Sequence, residues 1–493
     1  MENSINLYLS HIGFYFVLKD LDVFVNITKI KTSLTVKRSL RIGNRYKNIE
    51  RYLYKIIKSN VGNLFIIAKN TIKDVGKLIK CKIKIINKLN DGEVIIDSHL
   101  EDGIILDENQ KIVSRYINNN IFEKQHGRMV LVMNTGLGKT YVAAHKIKKI
   151  KRKTLIIVPS KNILEEWIKA FTYYTNITIG CYYSEKKIDG DVVIMTVQSA
   201  MGDVFKFPDG DIKYYNYFSK FGFSIYDEIH SYTSNKRENI FWRINTKFSL
   251  GLTATPCENS MKLDIIFEKH CGDLIYANDI EAFNPESIKW YGEIHPIKYY
   301  GLPKNTEKLI NSVNGWTSHG LMVKQFIADE NRNNVIIDLV ERLYKNNRNI
   351  FIFFELREYA FTLSEKINER LKIQKEDRDE LSILMGGASK DDIENSHASQ
   401  IILTTYGWGY QGLSIPKMDT IIFATPRKAK MAQIIGRILR KSGDPTIKRH
   451  IYDIIDCNTD LGKNQHNHRK DIFLDKSFYN FDMVQPIIIK IQE

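Results

Sequence analysis

The string "MNTGLGKT" (133–140) gathers the residue types that hold the phosphates of a nucleotide. Gly136 and Gly138 bracket a turn where a side chain would block close approach, so backbone N–H groups can point at anionic oxygens. Lys139 brings a charge able to bridge the outer phosphates, and Thr140 a hydroxyl for Mg²⁺. The usual spacing, G-x-x-x-x-G-K-[ST], fails at its first position, where Met133 stands in place of glycine. That position falls at the end of the preceding strand, farthest from the phosphates, and tolerates a side chain. A second string, "FSIYDEIH" (223–230), offers the carboxylates such a site needs. Asp227 is suited to hold Mg²⁺ through water and Glu228 to polarise an attacking water. His230, two residues on, is placed to sense the γ-phosphate and pass its state elsewhere. Alone, "DEIH" reads as an exposed acidic turn; after a strand, downstream of a phosphate loop, it reads as the other half of a nucleotide site.

These residues need a scaffold that sets strand ends side by side. Between about 106 and 265, apolar runs alternate with amphipathic helical segments: "MVLVM" (129–133), "TLIIVP" (154–159), "DVVIMT" (191–196), "FSIYDE" (223–228) and "FSLGLTATP" (248–256). That alternation is the signature of a parallel sheet with crossover helices. The rhythm lapses over 266–330 ("FNPES", "GLPKN", "VNGWTSHG"), read as a connector. It returns over 331–457 with "NIFIFF" (349–354), "LSILM" (381–385), "QIILTTY" (400–406) and "TIIFATP" (420–426). The expected fold class is α/β, with two parallel-sheet lobes in tandem at 106–265 and 331–457. Residues 1–105 hold Ile/Val/Tyr-rich segments between lysine clusters and read as a small α+β accessory domain. Residues 458–493 read as a polar tail.

Composition narrows the partners. The 493 residues are 43% hydrophobic and 26% charged, with a net charge of +15, and a cationic surface of that size favours a polyanion such as nucleic acid. Apolar runs such as "IFIFF" are far short of the roughly 20 residues a membrane span needs. The N-terminus lacks a basic region and a cleavage site, so no signal peptide is expected. Five cysteines without a C-x-x-C pair disfavour a disulfide framework, a zinc ribbon or an iron–sulfur cluster, and suit a reducing compartment.

From about 106 to 455 these motifs, in order, resemble those of superfamily 2 helicases of the DExH-box type. "MNTGLGKT" is similar to their loop x-x-T-G-x-G-K-T, which often lacks the first glycine and adds Thr135 to the ATP-binding set. "DEIH" resembles the DExH box. "TAT" (253–255) resembles the motif that couples hydrolysis to domain movement, through Thr253 and Thr255. "LIIVPSKNILEEW" and "VVIMTVQSA" look like nucleic-acid-contacting motifs of the first lobe. "ILTTYGWGYQGLSIP" is similar to T-x-x-x-x-x-G-[LI]-D-[IL]-P, with Gly412 at the ATP site and Ser414 where aspartate is usual. "QIIGRILR" fits Q-x-x-G-R-x-x-R through Gln433, Arg437 and Arg440. Those two arginines read as i, i+3 on one helix face, where both could enter one cleft and stabilise charge on a γ-phosphoryl group. Gln110, in "GIILDENQKIV", matches a glutamine that reads adenine.

The resemblance implies two RecA-like lobes, ATP and Mg²⁺ as cofactors, and nucleic acid as partner, with DNA favoured over RNA. It also implies a monomer away from membranes, with transcription or replication machinery as further partners. "QIIGRILRKSGDPTIKRHIYDIID" and "GLSIPKMDTIIFATP" look most like the branch holding the poxvirus transcript-release and phage recombination helicases. Abundant Ile, Lys, Asn, Tyr and Phe suit the AT-rich genome of a large DNA virus, which would place the chain in the host cytoplasm, a virus factory or the virion; otherwise a cytoplasmic or nuclear place is expected. The expected activity is ATP-driven movement along nucleic acid. Its rivals are a duplex translocase that displaces polymerase without strand separation, and a binding scaffold with a silent ATPase. Three further strings are read blandly: "NQHNHRKD" (464–471) as solvated tail, "KIKKIKRK" (146–153) as a solvated helix face, and Tyr406, Trp408 and Tyr410 as core packing rather than a base-stacking surface.

Overall fold

The computed structural model describes residues 4–42, 45–95, 104–122, 127–174, 176–184, 186–202, 217–256, 262–284, 290–311, 315, 317–373, 380–409, 415–427, 430–439, 443–474 and 480–492. The chain divides into two compact units, Met1–Asn284 and Pro285–Glu493.

The first unit opens with β1 (Ser4–Ser10), β2 (Gly13–Val17), β3 (Thr35–Ile42), β4 (Arg45–Tyr52), β5 (Tyr54–Ser59), β6 (Gly62–Ile67) and β7 (Lys82–Asn87). Five of these make a sheet in the order β5-β6-β2-β1-β7, while β3 and β4 pair only with each other. There follow β8 (Arg128–Val132), β9 (Thr154–Val158), β10 (Ile179–Tyr183), β11 (Lys186–Ile188), β12 (Val192–Thr196), β13 (Phe223–Tyr226), β14 (Phe248–Thr253) and β15 (Leu274–Tyr276). They form one sheet, β11-β10-β12-β9-β13-β14-β8-β15, parallel except for the β10–β11 pair. Strands such as "TLIIV" and "VVIMT" are buried at every residue, as a sheet covered on both faces requires.

The two faces of that sheet have different covers. Met129, Leu131, Ile156, Val158 and Ile194 pack with Val113, Val142, Leu164 and Trp167 from the crossover helices. Val130, Leu155, Ile157 and Val193, one residue out of phase, pack with Ile5, Leu7, Phe14, Phe16 and Phe65 of the N-terminal strands. This corrects the boundary expected at 105. Residues before it share a hydrophobic core with the eight-stranded sheet, alongside Phe241, Ile266 and Phe267 from short helices on that face.

The second unit holds β16 (Tyr291–Tyr300), β17 (Ile350–Phe354), β18 (Leu381–Leu384), β19 (Ile401–Thr405), β20 (Thr420–Phe423), β21 (Arg449–Asp456), β22 (Asn480–Met483) and β23 (Ile487–Lys490). The order is β18-β19-β17-β20-β21-β16-β22, with β23 also paired to β16 and every pairing parallel. Two sequence expectations change here. Residues 266–330 are not a plain connector, since β15 joins the first sheet and β16 the second. Residues 458–493 are not a solvated tail, since β22 and β23 extend the second sheet and "NQHNHRKD" lies in the helix Asp460–Phe473. Charge pairing, which hydropathy does not register, holds that helix down: Arg469 Nη2 lies 2.6 Å from Asp453 Oδ1, and His466 Nδ1 lies 2.7 Å from Asp453 Oδ2. Tyr406 is core, as read, with its hydroxyl donating to Thr425 O at 2.6 Å. Trp408 packs partly buried against the same cluster, and Tyr410 lies outside the described residues. No helix among the described residues is long and apolar enough to cross a membrane.

A polar cluster on β16 and β21 gives this unit an acid-sensitive seam. Register sets Glu293 opposite His450 and His295 opposite Tyr452. His295 Nε2 lies 2.8 Å from His450 Nδ1, Glu293 Oε2 lies 3.4 and 3.7 Å from those two nitrogens, and Lys448 pairs with the other glutamate oxygen. Burial lowers both imidazoles, and the nearby Arg348 helps bring His450 to about 4. A folded value below the ordinary 6.5 means that protons bind more readily to the unfolded chain. The stabilisation is therefore complete above pH 6.5 and declines as the pH falls toward 4. Thermal melts across that window should show a loss on the order of 1 kcal/mol after solvent screening, largely absent in His450→Gln. Identical acid profiles for the two proteins would contradict this account.

Candidate functional site

Parallel register brings the carboxyl ends of β8, β14, β13 and β9 together: Val132 pairs with Thr253, and Tyr226 with Ile157. The sequence-predicted residues of the first unit leave the sheet at this edge, where ligands of open α/β sheets bind.

The loop after β8 takes left-handed turns at Gly136 (φ +86°) and Gly138 (φ +85°), and Gly138 caps the helix Lys139–Ile150. A Cβ at Gly138 would stand 2.2 Å from Gln110 Nε2, so glycine here makes room for a neighbouring side chain as well as for the turn. Met133, the departure from the usual loop, buries its side chain in the core with Leu131 and Val142, while its N–H donates to Thr253 O at 3.0 Å. The missing glycine costs nothing because that side chain points into the lobe. Lys139 folds over the loop, donating to Met133 O at 3.0 Å and Asn134 O at 3.4 Å. Thr135 and Thr140 are half-buried on either side.

Gln110 lies in the helix Glu108–Ile117, which Asp107 starts with a capping box: Asp107 Oδ1 accepts from Gln110 N at 2.9 Å, and Gln110 Oε1 from Asp107 N at 3.1 Å. Gln110 Nε2 donates to Leu137 O at 3.1 Å, which pins this helix to the phosphate loop. Two turns on, Lys146 departs from the solvated face expected over 146–153, to which Lys148, Lys149 and Lys151 keep. It is fully buried, and its ammonium donates to Ser114 O at 2.9 Å, to Asn118 Oδ1 at 3.0 Å and to Ser114 Oγ. Burial lowers it to about 7. Seven residues after Lys139, it faces the neighbouring helix rather than water.

Asp227 and Glu228 follow β13 directly. Asp227 is buried and held through both oxygens: Oδ2 accepts from Trp167 Nε1 at 2.8 Å and Oδ1 from Glu228 N at 2.9 Å. Tyr232 braces the backbone, its hydroxyl donating to Asp227 O at 2.7 Å. Burial, then the charge of Glu228, push the Asp227 carboxyl up to about 7, against the opposing pull of Trp167 and Lys139. Glu228 sits at φ +47°, a left-handed conformation. From it a polar chain runs back to the sheet. His230 Nδ1 lies 3.3 Å from Glu228 Oε2 and 2.9 Å from Thr253 Oγ1, and Thr253 Oγ1 accepts from Thr255 N at 3.1 Å. The first-unit residues thus form one connected group.

In the second unit, Gln433 and Arg437 are buried at the helix Met431–Ile435 and the turn that closes it. That helix ends before Arg437, whose N bonds Ile434 O, three residues back, in a tightening turn. Gly412, Ser414 and Arg440 lie outside the described residues.

Sequence reasoning missed Trp167 and Tyr232. Trp167 continues the apolar stripe Ile163, Leu164, Trp167, Phe171 and reads as core, which it is. The available signal was its indole N–H, which must find an acceptor when buried.

Residues 103–258 match the family described as Type III restriction enzyme, res subunit. Over 356 residues, 68% of this chain, the sequence is 30% identical to QP509L of African swine fever virus (strain Badajoz 1971 Vero-adapted), which carries the name of an ATP-dependent RNA helicase. Over about two thirds of its length the chain is similar to viral proteins named as ATP-dependent helicases. The chain spans 66% of the length of QP509L, just under two thirds. It is also 23% identical over 341 residues, 66% of each protein, to the transcript termination protein A18 of Myxoma virus. In fold it is similar to the ATP-dependent Type ISP restriction-modification enzyme LlaBIII bound to DNA (TM-score 0.52, 16% identity), covering 78% of this chain and 31% of that one.

Proposed function

We propose that this protein is an ATP-driven motor of the helicase kind that moves along nucleic acid, with hydrolysis at the edge of β8, β13 and β14. The observation that carries the reading is the polar chain Glu228–His230–Thr253–Thr255. It joins the carboxylate placed to polarise water to the strand beside the phosphate loop, so a change at the γ-phosphate reaches the backbone of β14. Lys139 and the N–H groups of the Gly136–Gly138 turn bind phosphates, and Gln110 positions the base. His230, Thr253 and Thr255 transmit the state of the site. From the second unit, Gln433, Arg437 and Arg440 contribute polar and positive groups, and Gly412 a close backbone approach.

The donors fit Mg²⁺. Asp227 is a buried carboxyl whose ionised form is opposed by burial and by Glu228, and a bound cation would favour that form. Thr140 and Asp227, the latter partly through water, would hold the ion, which supplies positive charge to the phosphate oxygens.

Support for the substrate is divided. A18 is named for transcript termination, which favours a motor on DNA that displaces a transcribing polymerase, while QP509L is named for RNA. We favour DNA, in a monomer working with transcription machinery in the compartment where a virus transcribes its genome. ATP turnover measured with and without nucleic acid tests the motor, and strand displacement on matched DNA and RNA duplexes with 3′ or 5′ overhangs tests the substrate. Turnover should rise about tenfold with nucleic acid and lose that stimulation steeply with salt, as phosphate contacts release counterions. Stimulation without displacement would identify the duplex translocase. A folded chain with no turnover under any of these conditions would leave the silent scaffold.

A further inference from the structure

The β3–β4 hairpin takes no part in the nucleotide site and no part in the N-terminal sheet. Residues 35–52, "TVKRSLRIGNRYKNIERY", hold six lysines and arginines against one glutamate, a net +5 out of +15 for all 493 residues. A third of the net charge thus sits on one ribbon. Lys37, Arg38 and Lys47 are exposed there, Lys37 on the face of Tyr46 and beside Glu50, Arg38 and Lys47 on the other face, so that a strand crossing the ribbon meets cations on both sides. So are two aromatic rings on β4, Tyr46 at 66% and Tyr52 at 52% relative exposure. Six residues apart, they share a face of the strand about 20 Å from one another.

The root of the ribbon is fixed. Leu34 and Leu53 belong to the core shared with the nucleotide-binding sheet, and Leu53 N donates to Leu34 O at 2.8 Å. Arg51 Nε lies 3.0 Å from Glu238 Oε2, and Lys55 Nζ donates to Asn239 Oδ1 at 2.9 Å. Glu238 and Asn239 follow the DEIH segment by a few residues, so the ribbon is braced on the stretch that leaves the hydrolytic carboxylates.

A two-stranded ribbon of this length is marginal by itself, and like charges along it repel one another. Exposed lysines also guard strand edges against unwanted pairing. That role would explain the charges but not the open ring of Tyr46 among them; Tyr52 meets Tyr54 edge-on and donates to Glu50. Cations that follow a phosphate backbone, interleaved with rings on which bases stack, are what a single strand of nucleic acid requires. We infer that the β3–β4 hairpin is a binding surface for single-stranded nucleic acid: Lys37, Arg38 and Lys47 contact phosphates, and Tyr46 stacks on a base. The inference rests on the motor reading and adds to it a contact outside both parallel sheets.

The test uses the full chain, unstructured oligothymidylate and a blunt duplex of equal length. Fluorescence anisotropy across a salt series reads affinity, and ATP turnover without nucleic acid reads the basal activity. The triple variant Lys37→Ala, Arg38→Ala, Lys47→Ala leaves the anchoring Arg51 in place. It should bind oligothymidylate about tenfold or more weakly, with the slope of log K against log salt reduced by about 2, since each lost phosphate contact removes roughly 0.7. Tyr46→Ala should weaken binding several-fold with the slope unchanged, because stacking releases no counterions. Basal turnover and melting temperature should stay at wild-type values in both. Wild-type affinity and slope in the triple variant would overturn the inference, as would a loss confined to the duplex. A wild-type chain that binds neither probe and shows no stimulated turnover would instead remove the motor reading beneath it.

Discussion

Glu228→Gln should bind ATP with near wild-type affinity and hydrolyse it about 10²–10⁴-fold more slowly, the range for loss of a positioned general base. The amide matches the carboxylate in shape, so Asp227, braced by Trp167, Glu228 N–H and Tyr232, keeps its place. What disappears is the capacity to accept a proton from water. Lys139→Ala is the complementary change: the loop survives, but its ammonium no longer meets the phosphates, and binding itself weakens. Equilibrium nucleotide binding and single-turnover hydrolysis separate the two. Turnover within threefold of wild type in Glu228→Gln would show that this carboxylate does not activate water.

Arg437→Ala is the second large effect. Hydrolysis gathers negative charge on the γ-phosphoryl group, and the first unit offers Lys139 as its cation at the loop. Arg437 is buried at the end of the helix Met431–Ile435 in the other unit. If it completes the ATP site, catalysis depends on the two units meeting, and chemistry and movement become one event. The expected loss is about 10³-fold in turnover, with ATP affinity changed only a few-fold. A loss below threefold would leave hydrolysis to the first unit alone. Arg440→Ala provides the same comparison three residues on.

Both sheets and the order of their motifs were legible because buried parallel strands read as unbroken apolar runs, and phosphate and carboxylate motifs demand particular residues at strand ends. The N-terminal boundary was not legible. Ile5, Leu7, Phe14 and Phe16 show that this segment has apolar faces, but nothing local says they are buried against Val130 and Ile157. Lys146 and Arg469 escaped for a related reason. Hydropathy assigns lysine and arginine to solvent, whereas here each is buried against acceptors distant in sequence: Ser114 and Asn118 for Lys146, Asp453 for Arg469. The closing turn after Ile435 was missed because "QIIGRILR" has helical spacing throughout.

The backbone of Glu228 carries a wider lesson. At φ +47° it occupies a region that favours glycine and costs a branched or bulky residue on the order of 1 kcal/mol. Glycine at 228 would relax the turn, yet the polypeptide has a long acidic side chain there, 3.3 Å from His230 Nδ1. In this protein the demands of durability and of chemistry diverge at a single residue, and chemistry prevails. A search for hardier variants of the protein would be drawn to this position first, and each gain there would be a loss of the enzyme.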